Sequence, residues 1–410
     1  MKLKNKELCK IRTITTFLSL TNDKKTWRSQ IQKAADFCNN LSEKFISQGY
    51  IVQSIRIVTN PFGEYLNTLN IESAKADLTL LSKLINSHNN SGLRIRFAIG
   101  EVKTKHELSL LPELIRDFGD LCNACVNVSP DEFGILDNEM IDLAATTVKR
   151  ISVITSRGEG NFNFTVNFNC KPFIPYFPAS YHRSELEDSF VIGLETPDLL
   201  VQVLKDINEN YNIKNHNEAF KIYFDAMKAA LHYHIEEINQ LILDSTITDS
   251  FNFAGFDSSA APSKSCASMV EVYKELGVKN FGAAGTVEVS SLLTRVFKSM
   301  THVNLVGFSG LMLALTEDTG LAERTLTSDF DILTLLTNSA VCGIGLDTVP
   351  IPGNTSIDKI SALMRDTGTM AYRLNKPLTV RLFPIPNLVA GDVTQFESDD
   401  LCNSAVLSVD

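Results

Sequence analysis

Residues 339–356 read S-A-V-C-G-I-G-L-D-T-V-P-I-P-G-N-T-S. The apolar run through Leu346, Val349 and Ile351 suits a buried strand, and Pro350 and Pro352, which lack an N–H, mark where its ladder stops. Gly353 and Asn354 turn the chain. Thr355 or Ser356 can cap a following helix, and Asp358 suits its first turn. The stretch is a strand–turn–helix unit, and this unit recurs along the chain.

β-branched, extended runs lie near 11–20, 51–60, 93–102, 121–128, 161–170, 189–196, 251–257, 303–315, 346–351 and 378–386. Helical patterns sit between most of them, at 25–48, 72–87, 105–118, 136–150, 197–209, 217–245, 266–277, 286–299, 320–338 and 356–375. This alternation is α/β organisation, with mostly parallel strands and helices outside. Ten strands either close into a barrel or lie open as doubly wound sheets. No Gly/Ser/Pro-rich linker divides the chain, and the asparagine-rich patches at 85–91 and 208–217 read as surface loops. One α/β domain over 11–410, behind a short extension at 1–10, is expected.

Composition excludes several classes. The 410 residues are 44% hydrophobic with a net charge of −10, enough apolar material for a large core. No basic stripe stands out, so no nucleic-acid partner is expected, and no run of eighteen apolar residues suggests a membrane span. The eight cysteines are dispersed, unlike a secreted disulfide framework, which points to free thiols and a cytoplasmic setting. Cys122-Asn-Ala-Cys125 is a lone pair without a second pair or histidines at zinc-finger spacing.

Candidate chemistry gathers near strand ends. Glu101, Glu195, Asp257 and the pair Glu317–Asp318 each close a predicted strand, the edge where parallel α/β folds bind ligands. L-D-T-V-P-I-P-G and V-R-L-F-P-I-P-N repeat a pattern; aligning Pro350 with Pro384 sets Asp347 opposite Arg381. Such a pair either closes the sheet or orients Arg381 as a bidentate clamp for a carboxylate or phosphate. In F-A-G-F-D-S-S-A-A-P-S, Asp257 and Ser258 stand in a small-residue loop, and F-P-A-S-Y-H ends in His182. Cys342 lies about 16 Å from Asp347 along a regular strand and on its opposite face, so a buried, inert thiol is expected there.

These motifs, with G-F-S-G-L-M-L-A-L-T-E-D at 307–318 and R-L-F-P-I-P-N-L-V-A-G-D at 381–392, resemble the domain-of-unknown-function 711 family from about Ile11 onward. Its bacterial members are often labelled pyruvate formate-lyase-like. The resemblance implies a ten-stranded α/β barrel like that of glycyl radical enzymes; it implies no particular reaction. Val389-Ala390-Gly391-Asp392 places an aspartate where a radical loop has tyrosine, and no arginine precedes it, so radical chemistry is not expected.

The expected activity is isomerase, lyase or hydrolase chemistry on a small polar or anionic metabolite. Asp257, Asp347, His182 and Glu317 would be catalytic, and Arg381, Ser258 and Glu195 would bind substrate. Oxygen-rich candidates favour Mg²⁺, Mn²⁺ or Ca²⁺ if a divalent cation takes part. A homo-oligomer is expected. The alternative is a non-catalytic metabolite-binding or assembly protein.

Overall fold

The structure is a computed structural model that describes residues 2–89, 93–212, 215–244 and 250–409. Residues 90–91, 213–214 and 245, parts of the predicted loops and of the long helix, lie outside the described residues.

Five strands follow one another as parallel neighbours: β1 (Lys10–Leu18), β2 (Ile55–Thr59), β3 (Ile95–Val102), β4 (Asn123–Val128) and β5 (Phe164–Phe168). The crossovers are α1 (Trp27–Ser47), α2 (Ile71–Asn86), α3 (Lys105–Phe118) and α4 (Asn138–Ile154). Their starts are chemically defined. Asn70, Thr104 and Asp137 each accept a backbone N–H at the first turn, and Thr104 with Glu107 completes a capping box.

The remaining strands are β6 (Ser189–Glu195), β7 (Asn252–Asp257), β8 (Gly345–Pro352) and β9 (Leu378–Ile385). They join the sheet in the opposite sense. β6 pairs antiparallel with β1 and parallel with β7; β9 pairs antiparallel with β5 and parallel with β8. The result is one mixed sheet in the order β7-β6-β1-β2-β3-β4-β5-β9-β8.

The tenth predicted strand, 303–315, does not form as one. Gly307 and Ser309 take positive φ values of 63° and 40°, which turns the chain out of the extended region. Its two ends still touch the sheet's two edges. Phe256 of β7 donates its N–H to the Asn304 carbonyl and accepts from Val306, both at 2.9 Å, while Leu315 donates to the Asp347 carbonyl of β8 at 3.1 Å. The predicted helix 320–338 is also two elements, Thr319–Leu326 and Ile332–Ser339. Ser328, at φ 54°, and a new cap at Asp331 break it.

Ile55, Ile57, Ile95 and Phe97 face the helices in the main core. The alternate residues face inward. There Phe17, Val58, Ala98 and Val191 form a separate apolar cluster with Phe173 and Phe177 from the β5–β6 connection. That connection plugs one end of the inner face: His182 donates its N–H to Thr59, and Asn167 donates to Ala179. The extension at 2–8 makes short helical turns, and the Leu3 carbonyl meets His234 Nε2 at 3.0 Å.

Candidate functional site

The other end of the inner face is a polar cavity of about 660 Å³. Its walls are inward residues of seven strands: Arg12, Arg56, Arg96, Asn123, Thr165, Asp347, Thr379 and Arg381. Its mouth lies at the N-terminal ends of β2–β5, among Asn89, Asp117–Leu121, Thr155 and Asn163, with Ser398–Leu401 of the C-terminal segment across it. The sequence pointed to strand C-termini. Because β6–β9 run against β1–β5, the C-terminal ends of one set meet the N-terminal ends of the other at this rim.

Asp347 and Arg381 form the deep wall. Arg381 Nε donates to Asp347 Oδ1 at 2.7 Å, and the pair is buried. Gly345–Thr379 and Leu346–Val380 set this register. A bulge then intervenes at Thr348, φ 50°, so Pro350 faces Phe383, not Pro384 as the proline alignment supposed. The expected pair forms because it lies before the bulge.

Arg381 has little left for a ligand. Its second terminal nitrogen donates to Glu317 Oε1 at 2.5 Å, its first faces the Phe162 carbonyl at 3.3 Å, and the guanidinium lies 4.9 Å above the Phe162 ring. Both carboxylates of this group line the cavity, and Glu317 is the more open of the two, with 16% of its side chain exposed against 4% for Asp347. Burial pushes its pKa up, Arg381 opposes that, and Asp347 adds to it; the result stays raised.

Three arginines on adjacent strands form the opposite wall. Arg56 and Arg96 are directly paired in register, and Arg12 stands at a bulge of β1 that brings it to the same side. Arg56 is 8% exposed. Its Nε donates to Ser54 Oγ at 3.3 Å and one terminal nitrogen to the Pro175 carbonyl at 3.1 Å, and it lies 4.8 Å above the Phe177 ring. Among the described residues no carboxylate lies within ion-pair distance of it. Burial, then Arg12 and Arg96, push its pKa down to about 9. A cation so held is open to an anion entering the cavity.

A family profile described as "Uncharacterised ACR (DUF711)" matches residues 2–398. The chain belongs to the DUF711 family. Curated relatives carry only the name UPF0210 protein. The one from Clostridium perfringens strain 13 is 27% identical over 72% of this chain and 65% of its own length. The one from Pyrobaculum aerophilum is 28% identical over 62% and 56%. The DUF711 chain thus spans less than two thirds of these relatives. Among solved structures, the anaerobic ribonucleotide reductase from Thermotoga maritima with citrate in its active site aligns with a TM-score of 0.45 and 8% identity, covering 90% of this chain and 80% of that one.

Other candidates of the DUF711 chain sit elsewhere. Asp257 is buried and accepts from the Ser259 N–H and hydroxyl and from the N–H groups of Phe308 and Ser309. It clamps the turn that interrupts the tenth strand, and a Cβ at Gly307 would fall 2.1 Å from its Oδ2. Ser258 donates to the Phe297 carbonyl and is fully buried. Glu195 lies at the rim but is held by Lys10 at 3.0 Å, Gln53 and Ser263. His182 is buried in the plug, beside Phe17 and Phe173, with the Leu186 backbone near its ring. Cys342 is in the apolar core.

Among the described residues no group of three or more His, Cys, Asp or Glu converges as metal ligands. No described helix is long and apolar enough to cross a membrane.

The missed residues had a signal. Each of the first three strands carries Ile-Arg within its first three residues: Ile11-Arg12, Ile55-Arg56 and Ile95-Arg96. A charged residue alternating with β-branched ones on successive parallel strands marks one shared polar wall.

Proposed function

We propose that this protein binds a small anionic metabolite in the cavity, with Arg56, Arg12 and Arg96 as the anion clamp. Glu317 would act as acid–base group on the bound molecule. Arg56 is the observation that carries the reading: a buried guanidinium without a carboxylate, facing a cavity of metabolite size. The raised carboxyl of Glu317 across the same cavity suits proton transfer. Arg381 would hold Glu317 in place, not the ligand. We further infer that 304–315 closes the sheet into a barrel, since it bonds to both edge strands. Closure would make the cavity an interior, where water is excluded and charge interactions are strong.

A thermal-shift panel of small carboxylates and phosphorylated metabolites tests the reading, followed by NMR for turnover of any binder. The expected result is stabilisation of the wild type by anions and its loss in Arg56→Met. Stabilisation that survives in Arg56→Met overturns the assignment. Binding without turnover in the wild type favours a sensor over an enzyme.

A further inference from the structure

The C-terminal segment makes a closed excursion over the cavity mouth. At its base, Thr394 donates its N–H to the Ser404 carbonyl at 2.9 Å, and Asn403 Oδ1 accepts from the Phe396 N–H at 2.6 Å. Phe396 and Leu401 sink into an apolar cluster with Phe383, Ile385 and Val406. The base is therefore fixed.

The tip is held differently. Asp400 accepts both terminal nitrogens of Arg96, at 2.9 and 3.3 Å, and Glu397 pairs with Arg157. Both pairs are partly open to solvent, with side-chain exposures of 45% for Arg96 and 37% for Asp400. Such pairs contribute little stability and exchange readily. Asp400 also faces Arg12 and Arg56 across the mouth. A carboxylate bound bidentate to one of three clustered arginines has the geometry that a ligand's carboxylate or phosphate would take.

We propose that residues 395–403 form a strap over the cavity and that Asp400 is its internal competitor. Asp400 holds Arg96 while the cavity is empty, and an entering anion takes Arg96 and releases the tip. This rests on the anion-binding reading above, which Arg56 tests separately.

The probes are malonate and inorganic phosphate, titrated calorimetrically into the full chain as wild type, Asp400→Asn and Arg56→Met. Hydrogen exchange of 395–403 is followed with and without each probe. If the strap is closed about nine-tenths of the time, Asp400→Asn tightens binding roughly tenfold. Exchange at the tip, residues 397–400, should rise in the wild type when a probe binds, while the base at 396 and 401–403 stays protected. Equal affinity in wild type and Asp400→Asn, or weaker binding in Asp400→Asn, overturns the competition even where Arg56→Met abolishes binding. Binding that persists in Arg56→Met, or is missing from Asp400→Asn up to the solubility of both probes, overturns the anion site and the strap with it.

Discussion

Along β2 the inward positions are Arg56 and then Val58; along β3 they are Arg96 and then Ala98. Two residues of chain separate a charged cavity from an apolar plug. At the charged end, guanidinium groups meet carboxylates, carbonyls and aromatic faces. At the plugged end, Phe17, Phe173 and Phe177 pack against one another, and His182 is shut among them. Both ends contain buried polar groups. Those at the cavity have partners or an opening to solvent, whereas His182 is fully buried and only Glu185 and the Leu186 backbone favour its charged form. The contrast is why we place the proposed anion site at the first end and read the second as packing.

The largest effect is expected at the deep wall. Asp347→Asn and Arg381→Met should each cost about 3–5 kcal/mol, because removing one partner leaves the other charge buried. The double variant should recover part of that loss, as read by denaturant melts. If the single variants were near neutral, the pair would not be what separates the two ends.

A smaller effect is expected in the plug. Burial pushes the pKa of His182 down to about 4, with Glu185 opposing. The unfolded chain takes the proton near 6.5, so acid favours unfolding; this contribution is complete above pH 6.5 and is lost as pH falls to about 4. The difference is about 3 kcal/mol at most. His182→Phe should remove that slope and stabilise the protein at neutral pH. Asp257 acts in the opposite sense: burial raises its pKa to about 6, so its contribution is present in acid and is lost as pH rises through that value. The comparison is therefore between wild type and variant across pH 4–7. An unchanged slope in His182→Phe would place a proton or a partner on His182 and make the plug a site.

The smallest stability change is expected at Arg56. Arg56→Met should leave the fold intact and stabilise it by about 1 kcal/mol, since it removes a buried cation that has no carboxylate. A loss of several kcal/mol in chemical denaturation would make Arg56 structural, like Arg381.

Much of this was legible in the residues. Nine of the ten predicted strands form, because alternation of β-branched residues between turn signals is a local property. The pairing of Asp347 with Arg381 was legible because each sits three residues before a P-I-P segment on strands one helix apart. The function of Asp257 was not. Two of its four donors, the N–H groups of Phe308 and Ser309, come from the turn at 307–310, fifty residues further along.

The sequence by itself determined the strands, the helix caps and which residues alternate on each strand, since these depend on near neighbours. Only the tertiary structure decided which rim is polar, because that follows from the reversed direction of β6–β9. It also decided that Arg12, Arg56 and Arg96 share one wall. That requires the strand register and the bulge at Arg12, which are set by the packing of the whole sheet.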